Sequence, residues 1–118
     1  MEVKGAENHK VIVFIYELLG TAMLMTGINL SSSISPIKST IDDETQYDLK
    51  PFGITMGLYA AIVIFGEPGG AHYNPAVTVG VLIKLGKLSN IPIALMMIVA
   101  QIAGGFLAEL IVYMSIPK

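Results

Sequence analysis

Three apolar runs, set apart by short charged stretches, constrain this 118-residue chain more than any other feature. The first, residues 11–30, is broken only by Glu17 and a few small polar groups. At about 1.5 Å per helical residue it covers the roughly 30 Å hydrocarbon core of a bilayer. The third, residues 91–116, is announced by Ser89-Asn90 ahead of Pro92, a helix-start pattern. The middle run, residues 51–66, is apolar but short; Glu67-Pro68-Gly69-Gly70 interrupts it, and a second short apolar piece, 75–85, follows. Hydrophobic residues make up 53% of the chain and charged residues 14%, where a soluble domain carries about a quarter charged. The expectation is an all-α membrane protein embedded in a lipid bilayer. A net charge of −2 with no basic patch excludes a nucleic-acid binder. The lack of cysteine excludes disulfide frameworks, thiolate metal sites and cysteine nucleophiles.

Lys4 and Lys10 ahead of an apolar run suggest a secretory signal, but the run is too long for a signal core and carries Glu17. It reads as a membrane span. Lysine counts orient the chain: Lys4, Lys10, Lys84 and Lys87 share one side, and Lys38, Lys50 and Lys118 share the other. Residues 1–10 are therefore expected to be a cytoplasmic tail. The acidic loop 31–50, with Asp42, Asp43, Glu44 and Asp48, is expected on the opposite side. Asn29-Leu30-Ser31 is a formal glycosylation sequon at the membrane end of a span, and is expected to stay unmodified.

A short span, a Gly/Pro break and a short apolar helix form the pattern of a re-entrant element in a channel or transporter. Irregular backbone at membrane depth survives only where protein buries it or a watery cavity hydrates it. A surface loop followed by an interfacial helix would share the composition of residues 67–85. Asn74-Pro75-Ala76 tips the balance, because Asn is a strong N-cap and Pro suits the first helical position. A half-helix starting there would present the positive end of its dipole, which repels cations. The Asn74 amide would donate to a passing neutral hydroxyl. The carbonyls of Gly69, Gly70, Ala71 and His72 would supply acceptors leading to the same point. A water held from that side must turn its own hydrogens away, which breaks a proton wire.

Gly70-Ala71-His72-Tyr73-Asn74-Pro75-Ala76-Val77-Thr78 resembles the first signature loop of the aquaporin and aquaglyceroporin family, the major intrinsic proteins. Glu17-Leu18-Leu19-Gly20-Thr21 is similar to that family's first-helix motif, and Ala100-Gln101-Ile102-Ala103-Gly104-Gly105 to its third-helix motif. A small-residue second span leads into the loop at the family's distance. The resemblance runs from Val11 to Met114. It implies one inverted repeat: three transmembrane helices (11–30, 51–66 and 91–116) plus a re-entrant loop and half-helix at 67–85.

The resemblance also implies roles. Glu17 would accept hydrogen bonds from the signature loop and brace it. A filter position twenty residues before Asn74 falls on Ile54, an aliphatic side chain that would favour a wider or less polar constriction. Gly20, Gly53, Gly57, Gln101, Gly104 and Gly105 would lie at helix interfaces. Independently of the resemblance, Gly53 and Gly57, and Ala100, Gly104 and Ala108, repeat at four-residue spacing, with Gln101, Gly105 and Glu109 as a second stripe beside the latter. Small residues so spaced let helices approach closely in lipid. Glu109 departs from the family's small or apolar residue at its position, and contact with a partner or with headgroups would each explain it. His72 has no second histidine or cysteine near it, so a loop role is expected rather than metal binding, and the methionines read as adaptable filler. No metal, cofactor or enzymatic activity is expected: no nucleophile–base pair or phosphate loop appears.

The family pairs two repeats. This sequence holds a single Asn-Pro-Ala and no arginine, so the family's filter arginine must come from elsewhere. The expected function is the first half of a channel for water or small uncharged solutes such as glycerol. A second repeat would come from a separate chain, a missing carboxy-terminal half or an inverted copy, and an oligomer is expected. The alternative is a non-conducting subunit that associates with full-length channels and regulates them.

Overall fold

The computed structural model describes residues 2–38 and 46–116. The acidic cluster Asp42, Asp43 and Glu44 of the expected outer loop, and Lys118, lie outside them. Four helices follow one another: α1 (Glu2–Ile34), α2 (Lys50–Gly69), α3 (Pro75–Leu85) and α4 (Ile91–Ser115). A single 3-10 turn, Leu88–Asn90, leads into α4. Between α1 and α2 a two-residue antiparallel ribbon pairs Ile37 with Tyr47 and Lys38 with Gln46. Beside it Asp48 accepts from the Lys50 N–H (3.0 Å) and the Ser35 hydroxyl (2.7 Å). These two bonds hold its carboxyl below the usual carboxylate range.

Three of these segments are long and apolar enough to cross a bilayer: His9–Ile34, Lys50–Gly69 and Leu88–Ser115. The 11 residues of α3 rise only about 16 Å, half a hydrocarbon core. Three boundaries differ from the sequence expectation by three residues or more, the end of the first helix at Ile34 among them. The first helix begins at Glu2, so the expected tail continues the span as helix. The second runs on to Gly69, three residues past the expected break. Pro68 lies inside this last turn and cannot donate to the Ile64 carbonyl, and the Gly70 N–H closes the end on the Gly66 carbonyl (3.1 Å).

α1 is the centre of the bundle, with α2 and α4 packed on it and α3 packed on α4. Glycines set these contacts. A side chain at Gly53 would meet the Gly27 carbonyl and the Ser31 hydroxyl, and one at Gly57 would meet the Leu24 carbonyl at 3.0 Å. A side chain at Gly104 would strike the Leu18 carbonyl and crowd Thr21 and Ala22. Ala61, Ala100 and Ala108 are fully buried in the same seams. Close backbone approach through small residues is how helices gain packing energy in lipid, where apolar burial adds little. The outer faces carry Phe52, Tyr59, Val63, Ile83 and Phe106, all exposed, as suits contact with acyl chains.

Candidate functional site

The segment between α2 and α3 is an irregular loop set against α1 and α4. Gly70 ends α2 in the left-handed region at φ 82°. Ala71 (φ 57°) and Tyr73 (φ 46°) adopt it too, although both carry a Cβ. Each non-glycine residue held there costs about 1–2 kcal/mol, so the surroundings must fix the loop.

Glu17 does so from α1. Its side chain is 1% exposed, and three N–H donors converge on it. Oε1 accepts from the His72 backbone N–H (3.0 Å). Oε2 accepts from the Tyr73 backbone N–H (2.8 Å) and from the Gln101 side-chain amide on α4 (2.8 Å). A buried carboxylate is costly unless its lone pairs are filled, and here the loop backbone fills them. The same bonds satisfy two N–H groups that have no helix to join. Tyr73 is buried as well; its ring lies where any side chain at Gly20 would go, and its hydroxyl donates to the Ala61 carbonyl (2.9 Å).

Thr78 extends the network. Its hydroxyl donates to the Asn74 carbonyl (3.3 Å) and accepts from the second Gln101 N–H (2.8 Å). His72 Nδ1 lies 3.1 Å from the same oxygen. The His72 ring faces a cavity of about 290 Å³ between α3 and α4, lined also by Asn90 and Met97.

Asn74 is the N-cap of α3: its backbone is extended (φ −155°, ψ 124°) and its side-chain Oδ1 accepts from the Ala76 N–H (2.9 Å). With Oδ1 turned to the helix, the side-chain NH₂ faces away from it. Pro75 takes the first helical position, where its missing N–H costs nothing. Asn74, Pro75 and Ala76 are exposed, and Asn74 and Pro75 line a cavity of about 380 Å³ with Thr21, Tyr73, Gln101 and Gly105.

The sequence-derived residues thus fall into groups. Glu17, His72, Asn74 and Gln101 come together in one network. Gly69 is the last residue of α2, with the Glu17 carboxylate and Val13 against it, and Gly70 and Ala71 form the turn that follows. Gly20, Gly53, Gly57 and Gly104 sit at tight contacts. Gly105 does not: nothing lies within 4 Å of where its Cβ would be. Ala100, Gly104 and Ala108 face α1, while Gly105 is turned about 100° round α4, one residue along the helix, and meets nothing among the described residues. Ile54 lies on the exposed surface of α2 and is not among the residues of the cavity beside Asn74. Tyr73 and Thr78 were not singled out from sequence. Thr78 could have been, since four residues after an N-cap Asn it meets that residue's carbonyl.

The model of the family described as "Major intrinsic protein" matches residues 4–118. Aquaporin-1 of Ovis aries is 33% identical over 106 residues, covering 90% of this chain and 36% of the relative. Aquaporin-1 of Bos taurus is 32% identical over the same shares. The chain therefore spans about a third of the length of the curated relatives it matches. No solved structure matches it. The family match over nearly the whole chain, joined to a half-length helix capped by Asn-Pro and braced by a buried carboxylate, shows that this chain belongs to the major intrinsic protein family and is an integral, multi-pass membrane protein with an aquaporin-like half-repeat fold.

Proposed function

We propose that these residues form the first repeat of a channel that passes water or small uncharged solutes such as glycerol, and that a second repeat is needed to enclose the pore. The observation that carries this reading is the Glu17 clamp, which holds a strained loop so that α3 begins, with Asn74 exposed, inside a three-helix bundle. A polar helix start amid apolar helices serves little purpose in packing. It suits a path along which a neutral solute trades hydration for fixed donors. The three long helices leave the cavity beside Asn74 unroofed, which supports the requirement for a second repeat. The second helix and the loop carbonyls would supply the remaining lining, with Ile54 as the candidate filter position.

The test is an Asn74→Asp substitution in the completed channel, reconstituted in vesicles. Asp caps a helix as well as Asn, so α3 should persist. The amide donors are lost, however, and a negative charge meets the positive helix end. Stopped-flow shrinkage should show reduced water permeability, and a cation-sensitive dye should report a new leak. Unchanged water flux with unchanged cation exclusion would reject a pore role for Asn74. The competing reading, a non-conducting subunit that joins complete channels, is favoured by the open α1–α4 face. It requires that the chain bind such a channel and alter its flux while adding no pore of its own.

A further inference from the structure

Glu109, on α4, is an acidic side chain outside the Glu17 network. The middle of α4 (Ile91–Ser115) falls at residue 103, so Glu109 lies six residues, or about 9 Å, beyond it. That is inside the roughly 15 Å half-thickness of a hydrocarbon core. A carboxylate at this depth is costly without a partner and marks a functional contact. Its Oε2 accepts from the Asn29 side-chain amide of α1 at 2.8 Å. Among the described residues Glu109 has no other hydrogen bond and no lysine pairs with it. Asn29 is neutral, so no described residue matches the charge, and the side chain is exposed.

The surroundings point the same way. Gln101, Gly105 and Glu109 follow one another at four-residue spacing, so they form one stripe on α4. The Gly105 backbone is open. At its inner end the stripe borders the cavity beside Asn74. Over about 12 Å along α4, then, the α1–α4 face offers an exposed carboxylate and an open backbone and, among the described residues, no cation that pairs with the carboxylate.

We propose that Glu109, oriented by Asn29, docks a lysine or arginine side chain carried by the segment that covers this face, the second repeat. This rests on the channel reading above. The complement required is positive charge at the depth of Glu109. A neutral covering residue would fill the hydrogen bond and still leave the charge unpaired.

The test uses the completed channel in detergent micelles, with thermal unfolding as readout. E109Q can keep the Asn29 bond and loses only the charge, so its midpoint should fall below wild type; E109K should fall further, by about 3 °C or more. In the E109K background, each lysine and arginine in the covering spans is then changed to glutamate in turn. One reversal should restore the midpoint, which also shows that E109K is foldable. Midpoints of E109Q and E109K equal to wild type would overturn the proposal, leaving a carboxylate hydrated in the pore mouth or turned to lipid. A lowered midpoint that no reversal restores would overturn it too. Water flux is measured separately on the same proteins. A restoring pair in an assembly that does not conduct would sink the channel reading and keep the docking contact; a conducting assembly without a restoring pair would do the reverse.

Discussion

Glu17 decides the local structure because it is the single acceptor for three donors from two other elements. Glu17→Ala strands the His72 and Tyr73 backbone N–H groups and one Gln101 N–H, at about 1–3 kcal/mol for each buried donor left bare. The variant should lose several kcal/mol and unfold at much lower denaturant or temperature, read by circular dichroism in micelles. Wild-type melting would refute the clamp. Backbone strain gives a second handle at Ala71, at φ 57°. Ala71→Gly should be neutral or stabilising by up to about 1 kcal/mol, since glycine occupies the left-handed region freely. Ala71→Val should be destabilising by about 2 kcal/mol or more, because a β-branched residue is a severe outlier there. Equal stability of the two variants would argue against this loop conformation. Glu17 and Asn74 were legible in the sequence, one as a charge inside an apolar run and the other as an Asn-Pro helix start. Tyr73 was not: an aromatic beside an N-cap says nothing about its own φ or about a hydroxyl reaching the Ala61 carbonyl.

Among the elements, the helices were easier to read than their meeting points. Hydropathy located the three spans, and the Asn-Pro start and the left-handed Gly86 end bound α3 to half a membrane thickness. The end of α2 was harder, since Glu67-Pro68-Gly69 reads as a break in one dimension yet forms a last helical turn in three. Glycines at four-residue spacing announced close contacts, but spacing alone could not say which stripe of α4 faces α1. Gly104 and Gly105 are neighbours in sequence with opposite surroundings. Gly104→Val should therefore push α1 and α4 apart and cost about 2 kcal/mol or more through overpacking. Gly80→Ala on α3, where nothing lies within 4 Å, should be neutral or gain about 0.4–1 kcal/mol. Similar losses for both would contradict the packing described. The Asn29–Glu109 bond joins residues 80 apart, a pairing that no local pattern encodes.

For the whole molecule, the half repeat is an elongated body of 65 × 29 × 20 Å with a polar node in an apolar exterior. Its central helix carries the clamp, its short helix carries the Asn-Pro start, and its α1–α4 face carries a carboxylate and an open glycine. A carboxylate there is costly to leave against lipid and is suited to a partner that supplies positive charge. Composition could place this chain in a membrane; the motif at Asn74 and the match to major intrinsic proteins supply the rest. On the proposed reading these residues are one half of a pore whose donors act only when the second half closes over them. Stopped-flow osmotic shrinkage of vesicles decides this, comparing the chain alone with the chain joined to its second repeat at equal protein density. The chain alone should show lipid-background permeability, with a rise of about tenfold or more on completion, and Glu17→Ala should return the completed channel toward background. Background permeability from the completed assembly, or flux in it that Glu17→Ala leaves intact, would refute the half-pore.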